Sequence, residues 1–351
     1  MSFQTEKRES IKRYMLCKVR EDDGQFVQKT AENFVVSATS VKRYLKECLD
    51  KNIVIADQGK ACGYSLLTVE KEWSYQIDPF LMEDSVYYKD IVQYLDDISN
   101  ECMHIWAYAF MEIMNNAIEH SGGTKIYCSL KRDFLYTEIS ITDNGVGIFR
   151  NIQNYMEKRW SRKMDFEDIR IELYKGRLTT DSLRHSGEGI FFVSKMLDSF
   201  AIWSGNTIFS LHCAEREKFV KSHLLSYDSK VNDIGTMAVM RLCNDTKKTP
   251  KEVFDMFAPI EEGFVKTYIP IREVCPHGEP IARSQARRIL YRLENFQEVE
   301  FDFAQVEFMG QGFADEIFRV FHNAHPEVAL TYLNAEPSVA AMIKHVTAGN
   351  K

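Results

Sequence analysis

Three successive patterns along the 351 residues predict a multidomain chain of mixed α+β and α/β architecture. Residues 1–68 read as three short amphipathic helices and a hairpin. Residues 69–247 set one long helix against a series of strands, and residues 248–351 alternate strand with helix. A chain of this length ordinarily divides into two or three domains, and the pattern places the boundaries near 68 and 247.

Hydrophobic residues make up 45% and charged residues 27% of the chain, the balance of a globular protein. No apolar run approaches the ~20 residues of a membrane helix, and residues 1–14 lack the apolar centre of a secretion signal. Neither a membrane nor export is expected. The eight cysteines form no C-x-x-C pair and read as free thiols in a reducing cytoplasm. His212, Cys213 and His223 match no common zinc spacing and are expected to be ordinary residues of the fold. The net charge of −7 is uneven: residues 1–68 hold 12 Lys/Arg against 9 Asp/Glu, or +3, which leaves −10 for the rest. That asymmetry directs any polyanion to the first unit alone.

In that unit Ile11, Met15 and Val19 repeat at helical spacing, Phe26–Phe34 forms a second helix, and Ser37 is placed to cap a third. Val41, Leu45 and Leu49 make the third helix's inner stripe, while Thr39, Lys42, Arg43 and Lys46 point outward. Residues 53–67 then read as two strands around Gln58–Gly59. Three helices and a hairpin in this order resemble a winged helix-turn-helix, whose third helix enters the major groove of DNA. The resemblance implies base or phosphate contacts from Thr39, Ser40, Lys42, Arg43 and Lys46, with Lys60 as a wing contact. It also fits a homodimer reading two half-sites. A small helical adaptor with a solvated charged face is the alternative.

Residues 69–83 read as a connecting strand broken at Pro79, and 84–119 as a long helical stretch. Phe110, Ile113, Met114, Ala117 and Ile118 give that stretch an apolar face, yet Glu112 and Asn116 sit four apart on one side of it. Strands follow at 125–132 and 135–143, then a polar, mostly helical insertion over roughly 150–183. A glycine-led helix from Gly187 and strands at 201–205, 207–213 and 235–242 complete the unit. Three motifs fall in order: Glu112-x-x-x-Asn116-Ala117-x-x-His120, Asp143-Asn144-Gly145-Val146-Gly147 after an apolar strand, and Ser186-Gly187-Glu188-Gly189 opening a helix. Together, over about residues 80–245, they resemble the nucleotide-binding motifs of the GHKL ATPases, a group that includes gyrase B, the heat-shock chaperones, histidine kinases and MutL. No P-loop or Rossmann glycine pattern competes.

The resemblance implies an α/β sandwich of the Bergerat type holding ATP and Mg²⁺. Asp143 would accept a hydrogen bond from the adenine amino group, and Gly145 and Gly147 would bring backbone close to the nucleotide. Asn116 would offer its oxygen to Mg²⁺, and Glu112 would orient or deprotonate an attacking water or hydroxyl. The helix after Ser186, with Gly187 and Gly189, would turn its N–H groups to the phosphates. Residues 149–184 would be the ATP lid, with Arg184 and His185 at its end, and Thr236 would lie on the adenine side. A buried, satisfied polar pair would also account for Glu112 and Asn116, but not for the later glycine motifs.

No His-Glu or His-Asp pair occurs, and His104 is expected to be packed in its helix, so an autophosphorylating histidine kinase is disfavoured. The short remaining segment disfavours a topoisomerase or mismatch-repair enzyme. Residues 299–321 resemble a STAS-like domain, the fold of anti-sigma-factor antagonists. The loop that carries their phosphoserine reads Met309-Gly310-Gln311-Gly312 here and has no hydroxyl, so phosphorylation at that point is excluded. Asp315 and Glu316 are expected in the first turn of the next helix, either as ordinary helix-start charges that suit the dipole or as part of a face that docks a regulatory protein. The sequence thus points to a DNA-binding regulator with a Mg–ATP module. A serine/threonine kinase of anti-sigma-factor type, acting on a separate partner, and a GHKL ATPase of a defence or stress assembly are the other readings.

Overall fold

The computed structural model describes residues 3–95, 98–160, 164–176, 178, 187–211, 234–275 and 279–348. At its start α1 (Phe3–Arg20), α2 (Phe26–Phe34) and α3 (Ala38–Asp50) pack with an antiparallel hairpin of β1 (Val54–Ala56) and β2 (Tyr64–Leu66). Ile11, Met15 and Val19 are buried as the spacing requires. On α3 the inner stripe is Val41, Leu45 and Cys48; Leu49 is only half-buried. The steps of four and three follow the 3.6-residue turn more closely than two steps of four. Ser37 caps α3, its hydroxyl accepting from the Ser40 N–H at 3.1 Å.

Six strands form the central sheet in the order β3 (Val69–Gln76), β4 (Lys125–Arg132), β5 (Tyr136–Asp143), β8 (Thr236–Cys243), β6 (Ser199–Ser204) and β7 (Thr207–Leu211), each pair antiparallel. The first unit meets this sheet at one end of β5 and β8. Leu135 joins its core, the Arg20 guanidinium lies 4.5 Å from the Tyr136 ring centre, and Arg13 pairs with Asp245.

The expected helix over 84–119 is broken. α4 (Glu83–Val86) runs on through Tyr87–Ile91 and Val92–Tyr94, and α5 (Asn100–His120) starts afresh where the Ser99 hydroxyl accepts from the Cys102 N–H at 3.1 Å. α5 buries Phe110, Ile113, Met114 and Ala117 in the core that also takes Ile126, Cys128, Leu130, Ile139 and Ile141 of the sheet. His104 is exposed rather than packed, because it lies on the flank opposite Ile105 and Trp106. α6 (Ile148–Trp160), α7 (Phe166–Lys175) and α8 (Gly189–Met196) follow.

α9 (Pro250–Phe257) opens with a full capping box, Thr249 and Glu252 each satisfying the other's backbone N–H. A second, parallel sheet follows in the order β11-β10-β9, built from β9 (Lys266–Pro270), β10 (Glu298–Asp302) and β11 (Ala329–Leu333). Its helices are α10 (Ile271–Val274), α11 (Arg283–Leu290), α12 (Gln311–Asp315) continuing through Glu316–Phe321 into α13 (His322–Ala324), and α14 (Pro337–Thr347). The two sheets share one apolar core. Phe192 stacks on Phe254 at 4.6 Å, and Phe191 meets Phe264 at 4.8 Å and Phe257 at 5.0 Å.

That shared core alters two expectations. The insertion read as polar includes α7, whose residues Ile169 to Lys175 are all buried, since the C-terminal unit covers its charged side. Asp315 and Glu316 are likewise buried. Arg283 and Arg319 hold Asp315, and Arg283 and Arg287 hold Glu316, which keeps both carboxyls below their ordinary range. Lys195 is sealed at its Nζ, 3.8 Å from the Tyr268 ring centre, with no hydrogen-bond partner among the described residues. Burial pulls its pKa far down, while Asp302 and Glu300 oppose that shift.

Candidate functional site

A cavity of about 470 Å³ opens between α5, the ends of β5 and β8, and the start of α8, within the size range of small-molecule sites. Glu112, Asn116, Asp143, Gly187, Gly189 and Thr236 line it. Residues from three separate sequence motifs therefore meet at one space. Its remaining wall is largely apolar, with Ile141, Ile148, Leu173, Phe192, Ile202 and Ala238.

The closed side is built by glycines. A Cβ on Gly145 would stand 2.1 Å from the Ser121 carbonyl oxygen, so only glycine lets the loop after β5 meet the end of α5. The Val146 N–H then bonds that same oxygen at 2.9 Å. The Asn144 carboxamide accepts from Thr124 and Lys125 N–H at 2.8 and 2.9 Å, fixing the loop to the start of β4. Gly147 has φ 86°, a left-handed conformation open to glycine. Gly145 and Gly147 thus shape the cavity without lining it.

Asp143 is 4% exposed, and its Oδ1 accepts from the Gly145 N–H at 2.8 Å and the Thr236 N–H at 3.3 Å. Burial pushes its carboxyl up to about 6, against these hydrogen bonds, which favour the ionised form. The Thr236 hydroxyl accepts from the Ile148 N–H at 3.0 Å, so part of its capacity is used to start α6. At the other side, a Cβ on Gly189 would fall 2.1 Å from Glu112 Oε2. The carboxylate therefore rests against the first turn of α8, where the helix end is positive. Glu112 thus stands beside the helix start that the sequence reading assigned to the phosphates. The Asn116 carboxamide has no hydrogen-bond partner among the described residues.

Tyr108 and Asn151 also line the cavity and were not read from the sequence; Glu188, a member of the third motif with no role assigned to it, lines it too. Tyr108 was recoverable: Tyr108, Glu112, Asn116 and His120 recur every four residues along one side of α5. Burial, then the nearby Glu112 and Glu188 carboxylates, raise the Tyr108 hydroxyl above its ordinary pKa. Arg184, His185 and Ser186 lie outside the described residues, as do His212, Cys213 and His223.

The N-terminal candidates form a separate surface. Thr39, Lys42, Arg43, Lys46 and Lys60 are exposed, and Ser40 is half-buried, its N–H bonded to Ser37. This unit meets the sheet at Tyr136 and Cys243, while the cavity lies at Asp143 and Thr236, seven residues and about 23 Å along the strands. Among the described residues no helix is long and apolar enough to cross a membrane, and the seven described cysteines are free.

Residues 285–340 match a family described as a STAS-like domain of unknown function, DUF4325. The match covers α11, β10, α12, α13, β11 and the start of α14, so the C-terminal unit is STAS-like over that range. No curated protein matches the chain.

The glycines separate shape from chemistry. Gly145→Ala is expected to cost about 2–3 kcal/mol, since its Cβ meets fixed backbone. Gly189→Ala is expected to cost less than about 1 kcal/mol, since only the end of the Glu112 side chain must move. Urea unfolding of the two variants reads the difference, and equal costs would contradict the described packing.

Proposed function

We propose that the middle unit is a Mg–ATP-binding module of GHKL type in a transcriptional regulator whose N-terminal unit binds DNA as a winged helix. The convergence of Glu112, Asn116, Asp143, Gly187 and Gly189 on one cavity carries the reading. The donor set suits a magnesium nucleotide. A buried carboxylate can accept from the adenine amino group, and the Asn116 carboxamide, without a hydrogen-bond partner among the described residues, can give its oxygen to the cation. Magnesium would neutralise phosphate charge when bound. In this reading Glu112 orients, or takes a proton from, a water or hydroxyl at the phosphate end. Whether turnover goes to water or to a protein hydroxyl follows from what approaches Glu112, and radiolabel transfer from ATP to a protein would mark the kinase reading.

Asp143 gives this reading its pH dependence. Its carboxyl titrates near 6 in the free cavity. A donor such as the adenine amino group favours the ionised form, so binding lowers that pKa and releases a proton around pH 6. Affinity is therefore full above pH 6 and falls by up to about tenfold per unit as pH drops below it. Calorimetry with ATP at pH 5, 6 and 7.5 should show this slope. Asp143→Asn should weaken binding on the order of a hundredfold, because the carboxamide can turn a donor toward the amino group. Unchanged affinity in the variant would remove the assignment.

The DNA reading is supported by the exposed Lys42, Arg43 and Lys46 on a capped third helix beside a hairpin. Retention of genomic fragments should weaken with salt, and the slope of log affinity against log salt should become shallower by about 1–2 when Lys42 and Arg43 are both replaced by Ala. An unchanged slope, or no retention on any fragment, would instead favour a protein-contact role for this unit.

A further inference from the structure

The wall of the cavity that faces the C-terminal unit is α7, which contributes Leu173. Its inner side is fixed to the central sheet: the Tyr174 hydroxyl donates to the Ser210 carbonyl at 2.7 Å, and its ring stacks on Phe209 at 4.5 Å. Its outer side is held at both ends by the C-terminal unit. At the N-terminal end, the Arg288 Nε donates to Asp168 at 2.7 Å, and the Arg288 Nη2 reaches Asp165 at 3.0 Å. Asp165 is also the cap of α7, accepting from the Asp168 N–H at 2.8 Å. At the C-terminal end, the Thr267 hydroxyl donates to the Lys175 carbonyl at 3.0 Å, and the Lys175 ammonium bonds Glu172 at 2.6 Å and the Tyr291 carbonyl at 2.5 Å. Arg292 stands 3.5 Å from Glu172.

These contacts join the elements that must part if α7 is to swing away from the cavity. α7 lies in sequence between the second and third glycine motifs, and its outer side is the one the C-terminal unit occupies. Resting on the nucleotide reading of the cavity, we infer that the STAS-like unit is an intramolecular clamp: through Arg288, Arg292 and Thr267 it holds α7 against the cavity and sets the rate at which the bound nucleotide exchanges. Arg288 is the accessible handle of the clamp. Its side chain is 34% exposed, and its acidic partners Asp165 and Asp168 are 63% and 21% exposed. The Lys175–Glu172 pair beneath is sealed, at 2% and 5% exposure, and opens only once α7 has left.

The test uses the full chain and a fluorescent ATP analogue with Mg²⁺, chased by excess ATP in a stopped flow. Arg288→Glu places a carboxylate against Asp165 and Asp168, and the dissociation rate should rise by about tenfold or more; Arg288→Gln should give a smaller rise, about three- to fivefold, as expected for loss of partly exposed ion pairs. Adding Asp168→Arg to Arg288→Glu should restore a slow rate. Analogue that binds both forms and leaves them at equal rates overturns the clamp. If the wild type binds no analogue, the nucleotide reading fails, and the clamp is then read by amide hydrogen exchange of the ligand-free protein. Protection over residues 166–175 should fall in Arg288→Glu, and unchanged protection there also overturns it.

Discussion

The Ser121 carbonyl oxygen has room for the α-carbon of Gly145 and for nothing larger; an added Cβ would lie 2.1 Å away. The cavity depends on that approach. It brings the loop after β5 onto the last turn of α5, and so brings Asp143 to the cavity that Asn116 and Glu112 also line. Gly235 extends the constraint to the neighbouring strand, since a Cβ there would stand 2.4 Å from the Gly145 oxygen and 2.5 Å from Asp143 Oδ1. The hydrogen bonds that hold Asp143 come from the same loop and strand. Its buried carboxyl is therefore positioned before any ligand arrives, the condition for selective recognition at modest entropic cost.

The charges elsewhere follow a different logic. Around α7 and α12, the buried carboxylates of Glu172, Asp315 and Glu316 are matched by arginines that keep one side toward solvent. Removing one partner would leave an uncompensated buried charge, which is more damaging than the pair is stabilising. Such pairs make the relation of the C-terminal unit to α7 specific rather than merely apolar. Lys195 is the exception: its amine has no hydrogen bond among the described residues and lies against the Tyr268, Phe191 and Phe257 rings, with Asp302 and Glu300 nearby.

Local pattern revealed what local physics decides. β4 follows its alternation over Lys125–Arg132, the Ser37 cap is where the third helix needs it, and Glu112 and Asn116 were visible as polar residues one turn apart on an apolar helix. The glycine motifs were visible because only close backbone approach demands them. What escaped the sequence depends on distant partners. Arg170, Glu172 and Lys175 look like a solvated helix face until the C-terminal unit closes over them, and Asp315 and Glu316 look like helix-start charges until Arg283 and Arg287 reach across from α11. The shared phenylalanine core between the two sheets has no signature in either segment alone. Tyr108 was legible in principle, one turn before Glu112, but an aromatic residue at helical spacing reads first as core.

A crystal structure of the full chain with Mg²⁺ and a non-hydrolysable ATP analogue decides whether the cavity holds an adenine nucleotide with its base at Asp143, as proposed. The adenine amino group is expected within hydrogen-bonding distance of the Asp143 carboxylate, with the phosphates between Asn116 and the Gly187–Gly189 turn. An analogue bound elsewhere, or a base turned away from Asp143, would overturn the proposal.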